Sequence, residues 1–320
     1  MSTSAPGRVT IIIPTYRRVP LLREAVQSAL AQTYADIEII VVSDGPDPEA
    51  RAAIETLTHT HTNLRYAELP TNAGPAGARN AGARLATGEW LSFLDDDDTM
   101  LREKTSRQMS VANPANPQRM IACRAIYRHG GPHVDSKADV WPARALMPGE
   151  DLATYLLRRP SLLGRPGIVP LQTLLVHHTI LAEVPFTSHP DHEDWAWLLE
   201  AWYLAGARLA FVWEPLVIYN IVTDAVSRSR RANWRDSLAW AQRYRQWIPD
   251  RAYTSFLATK VALKARRAAD WPGLRLIARE VLHNHPSLLD LAFLLGITLL
   301  PAPLLHRAWK RSLSNKTAAS

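Results

Sequence analysis

Trp90-Leu91-Ser92-Phe93-Leu94-Asp95-Asp96-Asp97-Asp98 joins a short apolar run to four consecutive carboxylates, and its reading decides how the rest of the chain is understood. An apolar run that stops at a charged cluster is the pattern of a buried strand whose C-terminal end opens at the surface. In open α/β sheets, ligands bind at that end. Four adjacent negative charges repel one another, so a fold keeps them together chiefly where a cation or a strongly polar ligand offsets them. Taken alone, an acidic run would equally suit a solvated turn. The pattern upstream favours the strand end.

Val9-Thr10-Ile11-Ile12-Ile13 is β-branched and closes at Pro14, which predicts a buried strand; Leu21 to Gln32 then carries helical spacing through Leu21, Leu22, Ala25, Val26, Ala29 and Leu30. Ile37 to Val42 is a second apolar run, ending at Ser43-Asp44-Gly45-Pro46. Pro48 to Leu57 reads as the next helix, Leu64 to Leu69 as a short strand, and Gly74 to Ala86 as an Ala-rich helix leading into the acidic strand. Strands alternating with helices predict an α/β fold, a mostly parallel sheet with helices on both faces. The ends at Thr15, Asp44 and Asp95 to Asp98 are then expected along one edge.

Beyond Asp98, the loop signals Asn113-Pro114 to Pro117, Gly130-Gly131-Pro132 and Arg165-Pro166-Gly167 separate short runs such as Met120 to Tyr127. Periodicity returns at Asp191-His192-Glu193-Asp194-Trp195-Ala196-Trp197-Leu198-Leu199, where acids precede an apolar helix and favour its N-terminus. Leu209 to Trp213 and Leu216 to Ile221 read as further extended runs. From Ala225 the composition turns Arg-rich and helical, which puts the expected boundary near Asp224: residues 1–224 as the α/β region and 225–320 as a C-terminal helical region.

With 320 residues, 47% of them hydrophobic, the chain can bury a substantial core. The single cysteine, Cys123, excludes an intrachain disulfide and suits a reducing compartment. Met1 to Gly7 has no apolar signal-peptide core, so a cytoplasmic location is expected. Lys and Arg number 37 against 30 Asp and Glu, with the excess late in the chain, a surface suited to nucleic acid or anionic lipid. No zinc-ligand spacing, helix-turn-helix pattern or basic-aromatic motif is present, and no nucleic-acid partner is expected.

Four segments carry a resemblance: Val9-Thr10-Ile11-Ile12-Ile13-Pro14-Thr15-Tyr16-Arg17-Arg18, Val41-Val42-Ser43-Asp44-Gly45, Asn72-Ala73-Gly74-Pro75-Ala76-Gly77-Ala78-Arg79-Asn80-Ala81-Gly82, and Gly88-Glu89-Trp90 through Asp98. In this order, and followed by Glu193-Asp194-Trp195, they resemble the nucleotide-sugar glycosyltransferases of the GT-A fold. The resemblance is to the large inverting family 2, which also contains cellulose, chitin and hyaluronan synthases.

The resemblance implies a site. Asp44 would accept a hydrogen bond from the donor base while Pro14, Thr15 and Tyr16 frame base and ribose; a carboxylate accepts from an imide N–H but repels phosphate, so it belongs at the base end. Asp95 and Asp97 would form the Asp-x-Asp metal pair, with Asp96 facing the ribose and Asp97 the first choice of direct ligand. A divalent cation, Mn2+ or Mg2+, would bridge the donor diphosphate and offset the leaving group's charge. Arg79 would add a fixed positive charge near the nucleotide, its alternative being a solvated arginine on a helix face. Asp194 matches the second acid of the family's Glu-Asp motif and would be the base that deprotonates the acceptor hydroxyl, with Glu193 as the alternative.

The implied activity is that of an inverting, hexosyltransferase-type enzyme moving sugar from a nucleoside-diphosphate donor, a UDP-sugar in this reading. The acceptor would be a hydroxyl of a glycan or lipid-linked molecule in cell-surface polysaccharide or glycoconjugate synthesis. One departure is Tyr219-Asn220-Ile221-Val222-Thr223, where many relatives carry a histidine; Ser227-Arg228-Ser229-Arg230-Arg231 would supply guanidinium groups for phosphate in its place. Trp195 or Trp197 would serve as a platform for the acceptor sugar. His189, Asp191 and His192 lie close enough in sequence to suggest zinc, but two histidines beside a proline fit an ordinary loop better.

Two rivals stand beside this reading. Asp95-x-Asp97-x-Thr99 also fits the first motif of haloacid-dehalogenase-type phosphohydrolases, and a non-catalytic membrane-bound scaffold would need no chemistry at all. Leu288 to Leu305 is nearly all apolar but contains Asp290, Gly296, Pro301 and Pro303, marginal beside the about twenty residues of a spanning helix. With Arg307, Trp309, Lys310, Arg311 and Lys316 following, the C-terminal helices are expected to dock peripherally on the inner membrane face, the alternative being a buried helix that caps the catalytic domain.

Overall fold

The computed structural model describes residues 5–113, 115–116, 119–129, 138–221 and 233–301. The expectations placed on Pro114, Pro117, Gly130-Gly131-Pro132, Asp224, Ser227 to Arg231 and the tail from residue 302 lie outside the described residues. The chain forms two compact units, one of Met1–Ala145, Val169–His189 and Glu193–Ala225, the other of Leu146–Ile168, Pro190–His192 and Val226–Ser320.

The first unit opens with β1 (Ala5–Thr15), α1 (Val19–Leu30), β2 (Ile37–Ser43), α2 (Pro48–Thr58), β3 (Leu64–Glu68), α3 (Gly74–Leu85) and β4 (Gly88–Phe93). These four strands pair in parallel in the order β3-β2-β1-β4, as the alternating pattern predicts. Parallel strands are covered on both faces, which is why β1 is a continuous apolar run rather than an alternating one. Val9, Ile11 and Ile13 pack with Leu22, Ala25, Val26 and Ala29 of α1. Ile12 points to the other face, against α3, where a Cβ on Gly82 would lie 2.4 Å from its Cγ2; only glycine lets the helix approach so closely. Each fully buried isoleucine contributes about 1.5–3 kcal/mol relative to an exposed one.

The rest of the sheet is not parallel throughout. It comprises β5 (Thr99–Met100), β6 (Arg119–His129), β7 (Ala138–Trp141), β8 (Leu174–His177) and β9 (Arg208–Ile221), with α4 (Lys104–Met109), α6 (His178–Glu183) and α7 (Glu193–Tyr203) between them. The order continues β4-β8-β6-β9-β5, with β7 on β6. β4/β8, β8/β6, β6/β7 and β9/β5 are antiparallel, while β6/β9 is parallel. Antiparallel pairing needs no long crossover helix, and past Asp98 the sequence supplies few. The two runs read at Leu209 and Leu216 are one strand, broken in register opposite Cys123 to Ala125, where Pro215 has no N–H to give the ladder.

The second unit contains α5 (Leu152–Leu157), α8 (Trp234–Arg243), and α9 (Asp250–Phe256), which runs through a π-helical turn, Leu257–Val261, into α10 (Ala262–Arg267). α11 (Trp271–His283) and α12 (Leu288–Leu299) complete it. Side-chain capping boxes at Asn233 and Ser287 start α8 and α12. Asp191 belongs here: its Oδ2 accepts from Ser237 Oγ at 2.7 Å and from Lys264 Nζ, and lies 3.0 Å from His192 Nε2. That carboxylate is committed to a lysine, which agrees with the ordinary-loop reading of His189, Asp191 and His192 over the zinc one.

Candidate active site

β1, β2 and β4 are neighbours and run the same way, so their C-terminal ends meet on one edge, at the point where the winding reverses between β1 and β4. Thr15 ends β1; its carbonyl accepts from Asp44 N at 2.9 Å and its Oγ1 donates to Asp96 Oδ2 at 2.8 Å. Pro14 is buried beside Val42, whereas Tyr16 is exposed with the Arg17 guanidinium 5.2 Å from its ring. Asp44 is buried and takes a 2.6 Å hydrogen bond on Oδ1 from Ala73 N.

The mutual repulsion of the four aspartates is answered one residue at a time. Asp95 Oδ1 accepts from Arg79 Nη2 at 2.7 Å, and its Oδ2 accepts from Gln172 Nε2 at 2.6 Å. The same Gln172 nitrogen donates to Asp98 Oδ2 at 2.7 Å, and Asp98 Oδ1 accepts from Asn220 N at 2.8 Å. Arg18 Nη1 reaches Asp97 Oδ2 at 3.0 Å and Asp96 Oδ1 at 3.3 Å. Burial pushes the Asp96 carboxyl up to about 6, against Thr15 and Arg18. Burial and then the neighbouring acids raise Asp97, and take Asp98 well above the usual carboxylate range. Oxygens of Asp95, Asp97 and Asp98 all lie within 4.8 Å of one another, and hard oxygen donors so gathered suit a divalent cation.

Arg79 connects this cluster to the head of α7. It is buried, with Nη1 3.1 Å from Glu193 Oε1, so the solvated-arginine alternative does not hold. Burial acts to discharge it, but Asp95, Asp194 and Glu193 together hold its guanidinium above its ordinary range. Among the described residues the Asp194 carboxylate accepts no hydrogen bond. Burial raises its carboxyl to about 6, Arg79 opposing and Asp95 and Glu193 adding to the rise.

Thr15, Arg79, Asp95, Asp96, Asp97, Glu193 and Asp194 therefore gather in one constellation, with Asp44 tied to it through Thr15. Trp197 does not join them: it is buried against Phe186, ring centres 4.8 Å apart, and donates from Nε1 to Val184 O, which makes it core. Trp195 stays partly exposed at the head of α7. Both oxygens of Asp95 are hydrogen-bonded, which leaves it poorly placed as the phosphohydrolase nucleophile.

Gln172, Asn220, Arg18 and Asp98 are absent from the sequence-based site. The signal for Gln172 is its place as a polar residue in the apolar run Ile168 to Val176. It is held from below: Gln108 Nε2 donates to Thr173 O at 2.8 Å and Ile121 O at 2.6 Å, and fully buried Lys104 donates to Ser92 Oγ at 2.8 Å. Burial lowers that lysine to about 8.

Residues 10–148 match the family model described as Glycosyl transferase family 2. The amylovoran biosynthesis glycosyltransferase AmsB of Erwinia amylovora is 26% identical over 264 residues, 80% of this chain and 83% of that protein. Shorter matches reach 33% and 34% identity over 102 and 107 residues, spanning 41% and 35% of those relatives' own lengths. Among solved structures, S. aureus TarS 1-349 with UDP-GlcNAc superposes with a TM-score of 0.51 at 18% identity, covering 96% of this chain and 79% of that one. Mannosyltransferase PcManGT from Pyrobaculum calidifontis, with GDP-Man and Mn2+, gives 0.51 at 18%, covering 97% and 88%. Motif order, strand-end geometry and these likenesses agree: residues 10–148 form a glycosyl transferase family 2 region, in a chain whose fold is GT-A-like with C-terminal helices.

Proposed function

We propose that this protein transfers a sugar, with inversion, from a nucleoside-diphosphate donor of the UDP-sugar type to a hydroxyl of a glycan or lipid-linked acceptor in polysaccharide or glycoconjugate synthesis. The observation that carries this is one guanidinium, Arg79, joining the Asp95 end of the acidic cluster to the Glu193-Asp194 pair. The Erwinia relative's part in amylovoran biosynthesis and the UDP-GlcNAc bound by TarS point the same way.

In this reading the first unit carries the chemistry. Thr15 and Asp44 receive ribose and base, Asp44 through the oxygen that Ala73 leaves unbonded. Asp97, whose side chain is 24% exposed, would be the leading ligand of a divalent cation, with Asp95 and Asp98 beside it. When bound, that cation offsets the charge that grows on the departing diphosphate. Arg18 offers a second positive charge at the same carboxylates.

Glu193 is engaged by Arg79, while the Asp194 carboxylate accepts no hydrogen bond among the described residues and has a raised proton affinity, so Asp194 acts as base. As the acceptor oxygen bonds to the anomeric carbon from the face opposite the leaving group, Asp194 takes its proton. The bond from the anomeric carbon to the diphosphate oxygen breaks, and nucleoside diphosphate departs.

The test incubates the full chain with a panel of nucleotide sugars and Mn2+ or Mg2+ and measures released nucleoside diphosphate, beside an Asp97→Ala variant assayed for donor binding. Release by the native protein and loss of metal-dependent donor binding in the variant are expected. Inorganic phosphate as the product would overturn the reaction class; unchanged donor affinity and metal requirement in Asp97→Ala would overturn the metal assignment.

A further inference from the structure

Among the described residues two guanidinium groups pair with the acidic cluster, and they are held differently. Arg79 is buried, bonded through one nitrogen to Asp95 and through the other to Glu193, which fixes it in place. The Arg18 side chain is 36% exposed, and among the described residues it bonds only to the cluster: Nη1 reaches Asp97 Oδ2 at 3.0 Å and Asp96 Oδ1 at 3.3 Å. Arg18 is also the N-cap residue of α1, yet its side chain bonds none of the free N–H groups of that helix. Asp96 has a second partner of its own, the Thr15 hydroxyl at 2.8 Å. Arg18 can therefore leave the two carboxylates at little cost, since an ion pair open to water is weak.

Asp97 is claimed twice. It is the leading ligand of a divalent cation in the function proposed above, its oxygen within 4.8 Å of those of Asp95 and Asp98, and it is the closer of the two carboxylates that hold Arg18. A guanidinium and a dication on one carboxylate stand a few ångströms apart, and in a partly buried site water screens their repulsion poorly. One of them has to yield. The cation has three carboxylates to hold it, whereas Arg18 has a long stem that can turn. The guanidinium finds its next anion close by. Thr15 marks the ribose end of the donor site and Asp97 its metal end, so Arg18, in reach of both Asp96 beside Thr15 and Asp97, stands next to the diphosphate that joins them. A guanidinium can give phosphate oxygens two parallel N–H donors.

We propose that Arg18 competes with the divalent cation for Asp97 and, on leaving it, binds the diphosphate of the donor, a role that rests on the diphosphate-donor function proposed for this site. Arg18 thereby couples the two ligands. It leaves Asp97 more readily when a diphosphate is there to receive it, so cation and diphosphate each raise the affinity for the other, by the same factor.

The test is calorimetric titration of the full-length protein, native and Arg18→Met, with Mn2+ alone and with UDP at saturating Mn2+. The variant should bind Mn2+ alone about fivefold more tightly than the native protein and UDP about tenfold more weakly, within the ordinary range of coupling between two ligands. Its melting temperature without ligands should stay close to the native one, because the side chain is partly exposed and caps nothing. The opposite signs separate this role from a structural one, in which both affinities and the melting temperature fall together; that pattern overturns the proposal. So does a variant that binds Mn2+ no more tightly than the native protein, or one that binds Mn2+ more tightly and UDP unchanged, the mark of a charge that never moves to the donor. A native protein that binds no Mn2+ overturns the metal assignment and the competition with it. Native Mn2+ binding with an unresponsive variant leaves the metal assignment standing and removes only the role of Arg18.

Discussion

Replacing Arg79 with methionine removes the charge that joins Asp95 to Glu193 while keeping most of the side chain's length. Arg79 is 5% exposed; of the carboxylates it leaves, the Glu193 side chain is only 13% exposed and gains little from water, whereas Asp95 at 29% gains more. Removing one partner of a buried ion pair costs about 3–5 kcal/mol, because the remaining charge is uncompensated. Asp95 keeps Gln172, and Glu193 lies in the first turn of α7, where negative charge is favoured, so the lower end of that range, about 3 kcal/mol, is expected.

The loss should depend on pH. Arg79 opposes the rise that burial imposes on the Asp194 carboxyl, so without it the folded-state pKa of Asp194 climbs further above its unfolded value. A carboxyl with a raised folded pKa is penalised in its charged form, so the deficit is full above that pKa and shrinks as pH falls through it. Asp194, held near 6 by burial even with Arg79 opposing, marks the window. Urea unfolding of both proteins at about pH 8 and about pH 5.5, followed by circular dichroism, should show a smaller gap at the lower pH. A deficit under about 1 kcal/mol at the higher pH, the range of an exposed ion pair, would refute the reasoning. So would a deficit equal at both.

Two further outcomes follow from the same site. Asp194→Asn should keep donor binding but slow transfer by about a hundredfold to ten-thousandfold; in the native protein kcat/KM should fall as pH drops through about 6, because the base must be unprotonated. A near-native rate in the variant would pass the role to Glu193. Gln172→Leu should cost about 1–3 kcal/mol of stability by leaving Asp95 and Asp98 without their shared donor. It should also weaken Mn2+ binding in a calorimetric titration by about tenfold, the effect of losing a residue that orients metal ligands. Unchanged affinity would make Gln172 a bystander.

The sequence by itself determined the first half of the sheet and the ends of its strands. Val9 to Ile13, Ile37 to Val42 and Trp90 to Leu94 are buried on both faces, so their apolar runs need no partner to be recognised, and the residue at which each run stops marks the open end. Thr15, Asp44 and the Asp95 to Asp98 run were legible for that reason. Only the tertiary structure decided the second half, where β8, β6 and β9 pair across loops that carry no periodic signal. It also decided which acid meets which donor: Arg79 and Glu193 are 114 residues apart, and Asp98 and Asn220 are 122 apart. Local spacing records which face of an element is buried. It does not record strand register or helix rotation, and those bring Gln172 beneath two aspartates and turn Arg79 inward.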